Sequence, residues 1–235
     1  MHMGVGSFTV SDAWRQTYPE AAIGVLAMSH VANPPRHVGL EARKRDLEEE
    51  LRSRFAGQDR ASLKAIPVVR AYTDYYKRFG KSYHVMLQLE SVALKGKPLP
   101  DVAALVECMF MAELKNQVLT AGHDLDVVQM PVGVDVARGT ECYTRIDRQD
   151  QNLKPADMMI SDAGGVISSI VYGPDHRTRI RPDTRRVLFT GYAPPGVDAR
   201  AVHSHLDDLR ANVLIVSPEA EVSFLEVFRA SDLHP

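Results

Sequence analysis

Apolar and polar positions in the first half of the chain alternate with the period of an α-helix. Four stretches carry apolar residues three or four positions apart, which predicts four amphipathic helices. The stretches are residues 40–55, 68–79, 84–94 and 102–114. Gly80 follows the second stretch and suits a left-handed helix cap, and Asp101 stands where it can cap the fourth helix.

The second half is β-rich and is punctuated by glycine, proline and aspartate, and short β-prone runs also precede the first helix. The predicted strands are 8–10, 21–28, 127–136, 157–161, 166–172, 187–192, 213–216 and 222–228. One late helix is predicted at about 199–210. A helical half followed by a sheet half, without a linker, predicts an α+β fold.

Composition is that of an ordinary globular protein. Of the 235 residues, 45% are hydrophobic and 25% are charged, a mixture that can bury enough apolar surface to offset chain entropy. The chain lies within the size range of one domain. We therefore expect a single domain over residues 1–235.

Charge and cysteine content narrow the possible partners. A net charge of −2 provides no global positive field, so any RNA contact must come from local basic patches, and no DNA partner is expected. Cys108 and Cys142 make neither a ligand pattern nor a disulfide framework, which predicts reduced thiols in the cytoplasm. No secretory leader and no run of about 18 apolar residues occurs, so no membrane partner is expected. No cofactor or metal motif is present: the segment Ala163-Gly164-Gly165 lacks the nucleotide-binding patterns.

Several short motifs follow one another between about residues 65 and 192. They are YYKRFGK at 75–81, LVE at 105–107, AGHDLD at 121–126, KPAD at 154–157, SDAGGV at 161–166, YGPDHRTRI at 172–180 and DTRRVLF at 183–189. In this order and spacing they resemble the B3/B4 domain of the phenylalanyl-tRNA synthetase beta subunit, the tRNA-binding and editing domain. The family of free-standing B3/4 domain proteins shares this resemblance.

The resemblance implies a barrel-like mixed or antiparallel sheet flanked by helices. It also implies descent from a module that hydrolyses mischarged aminoacyl-tRNA, so the expected function is editing in trans, with tRNA or aminoacyl-tRNA as the partner. A complete synthetase is not expected, because this module occupies the whole chain. Two alternatives stay open: a non-catalytic module that binds RNA or an amino acid, and a hydrolase of small aminoacyl esters.

His123, Asp124 and Asp175 are the candidate catalytic residues. An imidazole that titrates near neutrality and two carboxylates can orient water or hold an α-amino group. The alternative is that Asp124 and Asp126 satisfy backbone amides in a turn with His123 packed beneath them, and that Asp175 caps a turn. The candidate substrate-binding residues are Glu107, Asp126, His176 and Thr184.

The sequence departs from the family pattern on the fourth predicted helix and on the turn after it. Glu107, Phe110 and Glu113 stand where the family often has aspartate, asparagine and serine, so the polar contacts of this helix are altered. Ala121 stands where the bacterial editing enzymes place a histidine. These departures favour the non-catalytic alternative.

Arginines recur at alternate positions after Asp175 and His176. If the chain there is one continuous strand, their side chains share a face that can bind RNA phosphates. A salt-bridged surface strand is the alternative. The candidate RNA-binding residues are Arg177, Arg179, Arg181, Arg185 and Arg186. The amino acid, the tRNA and the oligomeric state are left open by the sequence.

Overall fold

The computed structural model describes residues 8–232, which form seven α-helices and eleven strands. The helices are α1 (Asp12–Thr17), α2 (Val38–Arg54), α3 (Arg60–Ala65), α4 (Pro67–Arg78), α5 (His84–Leu89), α6 (Ala104–Asn116) and α7 (Ala199–Val216). The strands are β1 (Phe8–Val10), β2 (Ala22–Ser29), β3 (Leu119–Asp124), β4 (Val132–Val136), β5 (Cys142–Thr144), β6 (Asp150–Asn152), β7 (Met158–Asp162), β8 (Gly165–Ser169), β9 (Gly173–Pro174), β10 (Arg186–Ala193) and β11 (Glu221–Arg229).

The described strands form three open sheets. A five-stranded sheet has the order β1-β4-β7-β8-β9, a four-stranded sheet has the order β11-β2-β10-β3, and β5 pairs with β6. All pairings between these strands are antiparallel except that of β1 with β4. The α+β class is therefore confirmed, but the described strands do not close into a barrel.

The core lies between the two larger sheets and the helices packed on them. The Tyr192 hydroxyl of β10 lies 2.6 Å from Ser168 Oγ of β8, which joins the two sheets. On the four-stranded sheet, a Cβ at Gly24 would lie 2.6 Å from Val202 Cγ1 of α7. The absence of a side chain at Gly24 thus lets α7 approach β2 closely.

The predicted helices form because their apolar stripes are buried. In α4, Val69, Tyr72 and Tyr76 are all buried, and Gly80 beyond its end has φ +70°, which confirms the predicted left-handed cap. The third predicted helix is present as α5, which continues into a π-helical turn at Glu90–Leu94.

Two predictions near helix ends are wrong. Helix α7 continues to Val216, so the strand predicted at 213–216 does not form; Val213 and Val216 extend the buried stripe that begins at Val202. Asp101 does not cap α6, which begins at Ala104, because its carboxylate lies 2.6 Å from Lys44 Nζ of α2.

None of the helices between residues 8 and 232 combines the length and the hydrophobicity that crossing a membrane requires.

Candidate functional site

A cavity of about 420 Å³ opens beside β3, the edge strand of the four-stranded sheet. Helix α6 covers one side of it, and the chain around β9, the edge strand of the other sheet, covers another. Most of the lining side chains are apolar. The lining residues are His84, Val102, Val106, Met109, Phe110, Glu113, Leu119, Thr120, Ala121, Gly122, Ile146, Ser169, Ile170, Gly173, Pro174, Arg179, Ile180 and Tyr192.

Gly122 is the point at which β3 meets the loop after β9. A Cβ there would lie 2.7 Å from Ile180 Cδ1, so a larger residue would push this loop away. The Leu125 N–H bonds to Arg186 O, and because an antiparallel ladder alternates, the Gly122 N–H points away from β10. It has no hydrogen-bond partner among the described residues. Gly122 thus lines the cavity, and its N–H lies on the side of β3 that faces the loop after β9.

Glu113 is a buried acidic side chain in this apolar wall. Its Oε1 accepts a hydrogen bond from the Thr120 N–H at 2.8 Å. Burial raises the pKa of the carboxyl group to about 8, against a smaller lowering by the Thr120 bond. Glu113 is therefore mainly protonated and uncharged at neutral pH.

His123 and Asp175 are brought together by Thr178. The Thr178 hydroxyl donates to Asp175 Oδ1 and lies 2.8 Å from His123 Nδ1. Because the Thr178 hydroxyl gives its proton to Asp175, its oxygen can only accept from the histidine ring. The Nδ1 atom of His123 therefore carries the proton and donates it. Burial lowers the pKa of His123 to about 3. The ring is thus neutral, and its Nε2 is buried without a partner among the described residues.

Asp124 fastens the same loop a few residues further on. Its Oδ2 accepts hydrogen bonds from Thr184 Oγ1 at 2.9 Å and from Arg181 Nη2 at 3.1 Å. Its backbone N–H donates to Thr178 O at 2.7 Å. The two predicted catalytic segments therefore meet in space. The side chains of His123, Asp124 and Asp175, however, hydrogen-bond to residues between 178 and 184 and do not line the cavity.

No family model matches the sequence, and no curated protein sequence matches it. Among solved structures, the chain is similar to an N-terminal fragment of the phenylalanyl-tRNA synthetase beta-subunit from Pyrococcus horikoshii, at 10% sequence identity and a TM-score of 0.48. The similarity covers 94% of this chain and 53% of that chain. The protein thus spans about half the length of the fragment that it matches.

The four predicted substrate-binding residues lie outside the cavity wall. Glu107 is buried and accepts hydrogen bonds from Lys44 Nζ at 3.1 Å and from the Val102 N–H at 2.9 Å. Thr184 is bonded to Asp124, as described above, and Asp126 pairs with Arg186 at 3.1 Å. His176 is the neighbour of Asp175 and is half-buried, and its carbonyl accepts a hydrogen bond from Arg179.

Three of the predicted RNA-binding arginines are ion-paired. Arg177 holds Asp162 through two hydrogen bonds, at 2.7 and 3.0 Å. Arg181 and Arg186 pair with Asp124 and Asp126, respectively. Residues 176–178 form a bend, and Arg179 makes only an isolated β-bridge. The arginines therefore do not lie on one continuous strand.

The other two arginines have different surroundings. Arg179 lines the cavity and donates to the His176 carbonyl at 2.6 Å. Arg185 is exposed, and its guanidinium bonds to the Thr184 carbonyl at 3.0 Å, which leaves its charge uncompensated by a carboxylate in the described part of the chain. Of the five predicted RNA-binding arginines, Arg179 and Arg185 are thus the two that no carboxylate of the described residues pairs with, so they can contact a phosphate.

The sequence reading overlooked Glu113 as a site residue. It noted Glu113 as a departure from the family pattern but assigned it no role. The available signal was an acidic residue on an apolar helical face, four positions after Met109 and three after Phe110, both of which line the cavity. Such a residue either has a buried partner or faces a cavity.

Proposed function

We propose that the chain is an editing-like domain that hydrolyses mischarged aminoacyl-tRNA in trans. The cavity beside β3 is the observation that carries this proposal. A volume of about 420 Å³ accommodates one amino acid side chain, and its apolar wall favours a hydrophobic one. The motif resemblance described under Sequence analysis supports an aminoacyl ester as the substrate.

In this proposal the backbone at Gly122 stabilises the reacting carbonyl group. Gly122 lines the cavity, and no described group accepts a hydrogen bond from its N–H. In the proposal this N–H donates to the oxygen on which negative charge develops, which lowers the barrier. A terminal hydroxyl of the tRNA can assist the attacking water. The protein then needs little general-base chemistry of its own, which agrees with an apolar cavity.

His123, Asp124 and Asp175 contribute to this function as positioning residues. Through Thr178 and Thr184 they hold residues 175–184 against β3, and this segment supplies Arg179 and Ile180 to the cavity wall. Arg179 at the wall and exposed Arg185 are the proposed contacts to tRNA phosphates.

A non-catalytic binding module is the second candidate. It is favoured by the uncharged state of Glu113 and by the position of the three predicted catalytic side chains outside the cavity. Binding without turnover is its expected behaviour.

A panel of mischarged tRNAs, each incubated with the purified protein, tests the proposal. Val106→Trp, which fills the cavity, should lower kcat/KM by about tenfold or more, whereas Val38→Trp, at a position that is 85% exposed on α2, should not. Release of amino acid no faster than in buffer from every tRNA would contradict the hydrolysis. Retained binding would then support the second candidate. Turnover of simple amino acid esters without benefit from tRNA would instead indicate a small-ester hydrolase.

A further inference from the structure

One carboxylate oxygen of Glu113 has no hydrogen-bond partner among the described residues. Glu113 is 2% exposed, and its Oε1 is used by the Thr120 N–H. Among residues 8–232, no group bonds to Oε2, although Glu113 lines the cavity. Oε2 is not fully enclosed by protein atoms, so water or a ligand in the cavity can reach it and bond to it.

The groups around Glu113 are neutral and already engaged. From α4, the Tyr72 hydroxyl donates to Tyr192 O and accepts from the Leu119 N–H. The Tyr83 hydroxyl, before α5, donates to Gln117 O at 2.8 Å. From α7, His205 Nε2 contacts Thr120 Oγ1.

The two cavity-lining residues that can carry a positive charge do not pair with Glu113. Arg179 bonds to the His176 carbonyl, and burial lowers the pKa of His84, which favours its neutral form. No cation therefore draws Glu113 into its ionised form, and the protonated side chain has an O–H available for donation.

We propose that Glu113 is a ligand-recognising residue, and that the cavity selects small, largely apolar ligands carrying an uncharged hydrogen-bond acceptor at the buried end. This rests on the proposed function, since the same cavity holds the acyl group there. The carboxyl group holds the Thr120 N–H with one oxygen and donates to the ligand with the other.

An uncharged acceptor fits better than a cation. An ammonium group could pair with ionised Glu113, but both charges would have to leave water for an apolar cavity. The burial that keeps Glu113 protonated also penalises the cation. A carbonyl or ether oxygen needs no such transfer of charge.

Three probes of nearly equal shape distinguish these possibilities by calorimetric titration of the full chain. They are acetophenone, which has a neutral acceptor, ethylbenzene, which has none, and 2-phenylethylamine, which is a cation. The wild type should bind acetophenone about tenfold more tightly than ethylbenzene. This preference should fall above a pH of about 8, where Glu113 loses its proton.

Two variants separate recognition from folding. Glu113→Gln keeps an acceptor for Thr120 and an N–H donor for the ligand, so it should retain the preference and lose its pH dependence. Glu113→Leu should bind both neutral probes alike. Because leucine leaves the Thr120 N–H without an acceptor, the glutamine variant carries the test if the leucine variant does not fold.

Three results would overturn the inference: equal or undetectable binding of the two neutral probes by the wild type, a preference that survives in Glu113→Leu, or tightest binding of the amine. None of these measurements involves tRNA or hydrolysis. Selective probe binding without deacylation would contradict the proposed hydrolysis alone, and deacylation without selectivity would contradict the role of Glu113 alone.

Discussion

Replacing Glu113 with glutamine should stabilise the fold at neutral pH, by an amount that depends on pH. In the folded chain burial raises the pKa of Glu113 from 4.5 to about 8. Between these two values the folded state holds a proton that the unfolded state has released. The free energy of unfolding contributed by this group therefore falls as pH rises through the window.

The magnitude follows from linkage. Each pH unit between the two pKa values costs about 1.36 kcal/mol, so at about pH 7 burying Glu113 costs roughly 3 kcal/mol relative to its state near pH 4. Glutamine keeps the acceptor for the Thr120 N–H and has no proton to take up. Glu113→Gln should thus equal the wild type near pH 4 and exceed its stability by about 2–3 kcal/mol near pH 7.

Urea unfolding at a series of pH values measures this difference. Other buried groups also make stability depend on pH: burial lowers the pKa of His123 to about 3 and of His205 to about 4, and raises the pKa of Asp157 to about 7. All three are present in both proteins, so the comparison removes their contribution. Glu219→Gln, at an exposed position, is the matched control and should follow the wild type. Parallel pH profiles for wild type and Glu113→Gln would refute the conclusion that Glu113 is buried and protonated.

Two further predictions concern the loop beside β3. Thr178→Val removes the hydroxyl between His123 and Asp175 and should lower the free energy of unfolding by about 1–3 kcal/mol, as measured in urea; unchanged stability would show that this bond contributes nothing. Arg185→Gln should weaken tRNA binding a few-fold and reduce its salt dependence, because this exposed charge has no described carboxylate partner. Arg177→Gln, which breaks the bonds to Asp162, should instead lower stability; the opposite ranking in a filter-binding assay would contradict this division.

Local sequence pattern was sufficient for most elements of the fold. The buried stripe of α4 and its glycine cap at Gly80 were readable because both depend on neighbours in the chain. The end of α7 was not readable, because Val213 and Val216 suit a strand by propensity. The two valines instead extend the buried face of α7 that contains Leu206 and Leu209, and this tertiary packing stabilises the helix.

The sequence likewise predicted only the part of the candidate site that does not depend on tertiary contacts. The choice of His123, Asp124 and Asp175 as one group required their segments to lie close together, and Thr178 joins them in the structure. The direction of their side chains depended on contacts with Thr178 and Thr184, which no local pattern shows. The alternation of the arginines predicted a common face, but the bend at 176–178 turns them toward separate aspartates.

The cavity exists where the free edge of β3 is unpaired, and it ends where that edge is closed. Along residues 119–122 the edge faces the cavity, with Glu113 covering one backbone donor. At the next two residues this edge is paired with the loop after β9: His123 forms a β-bridge with Arg179, and the Asp124 N–H donates to the Thr178 carbonyl. The hydrogen bonds of His123, Asp124 and Asp175 hold this closure in place. Removing any of them should therefore open one end of the cavity, so these residues can be essential to a reaction that their side chains never touch.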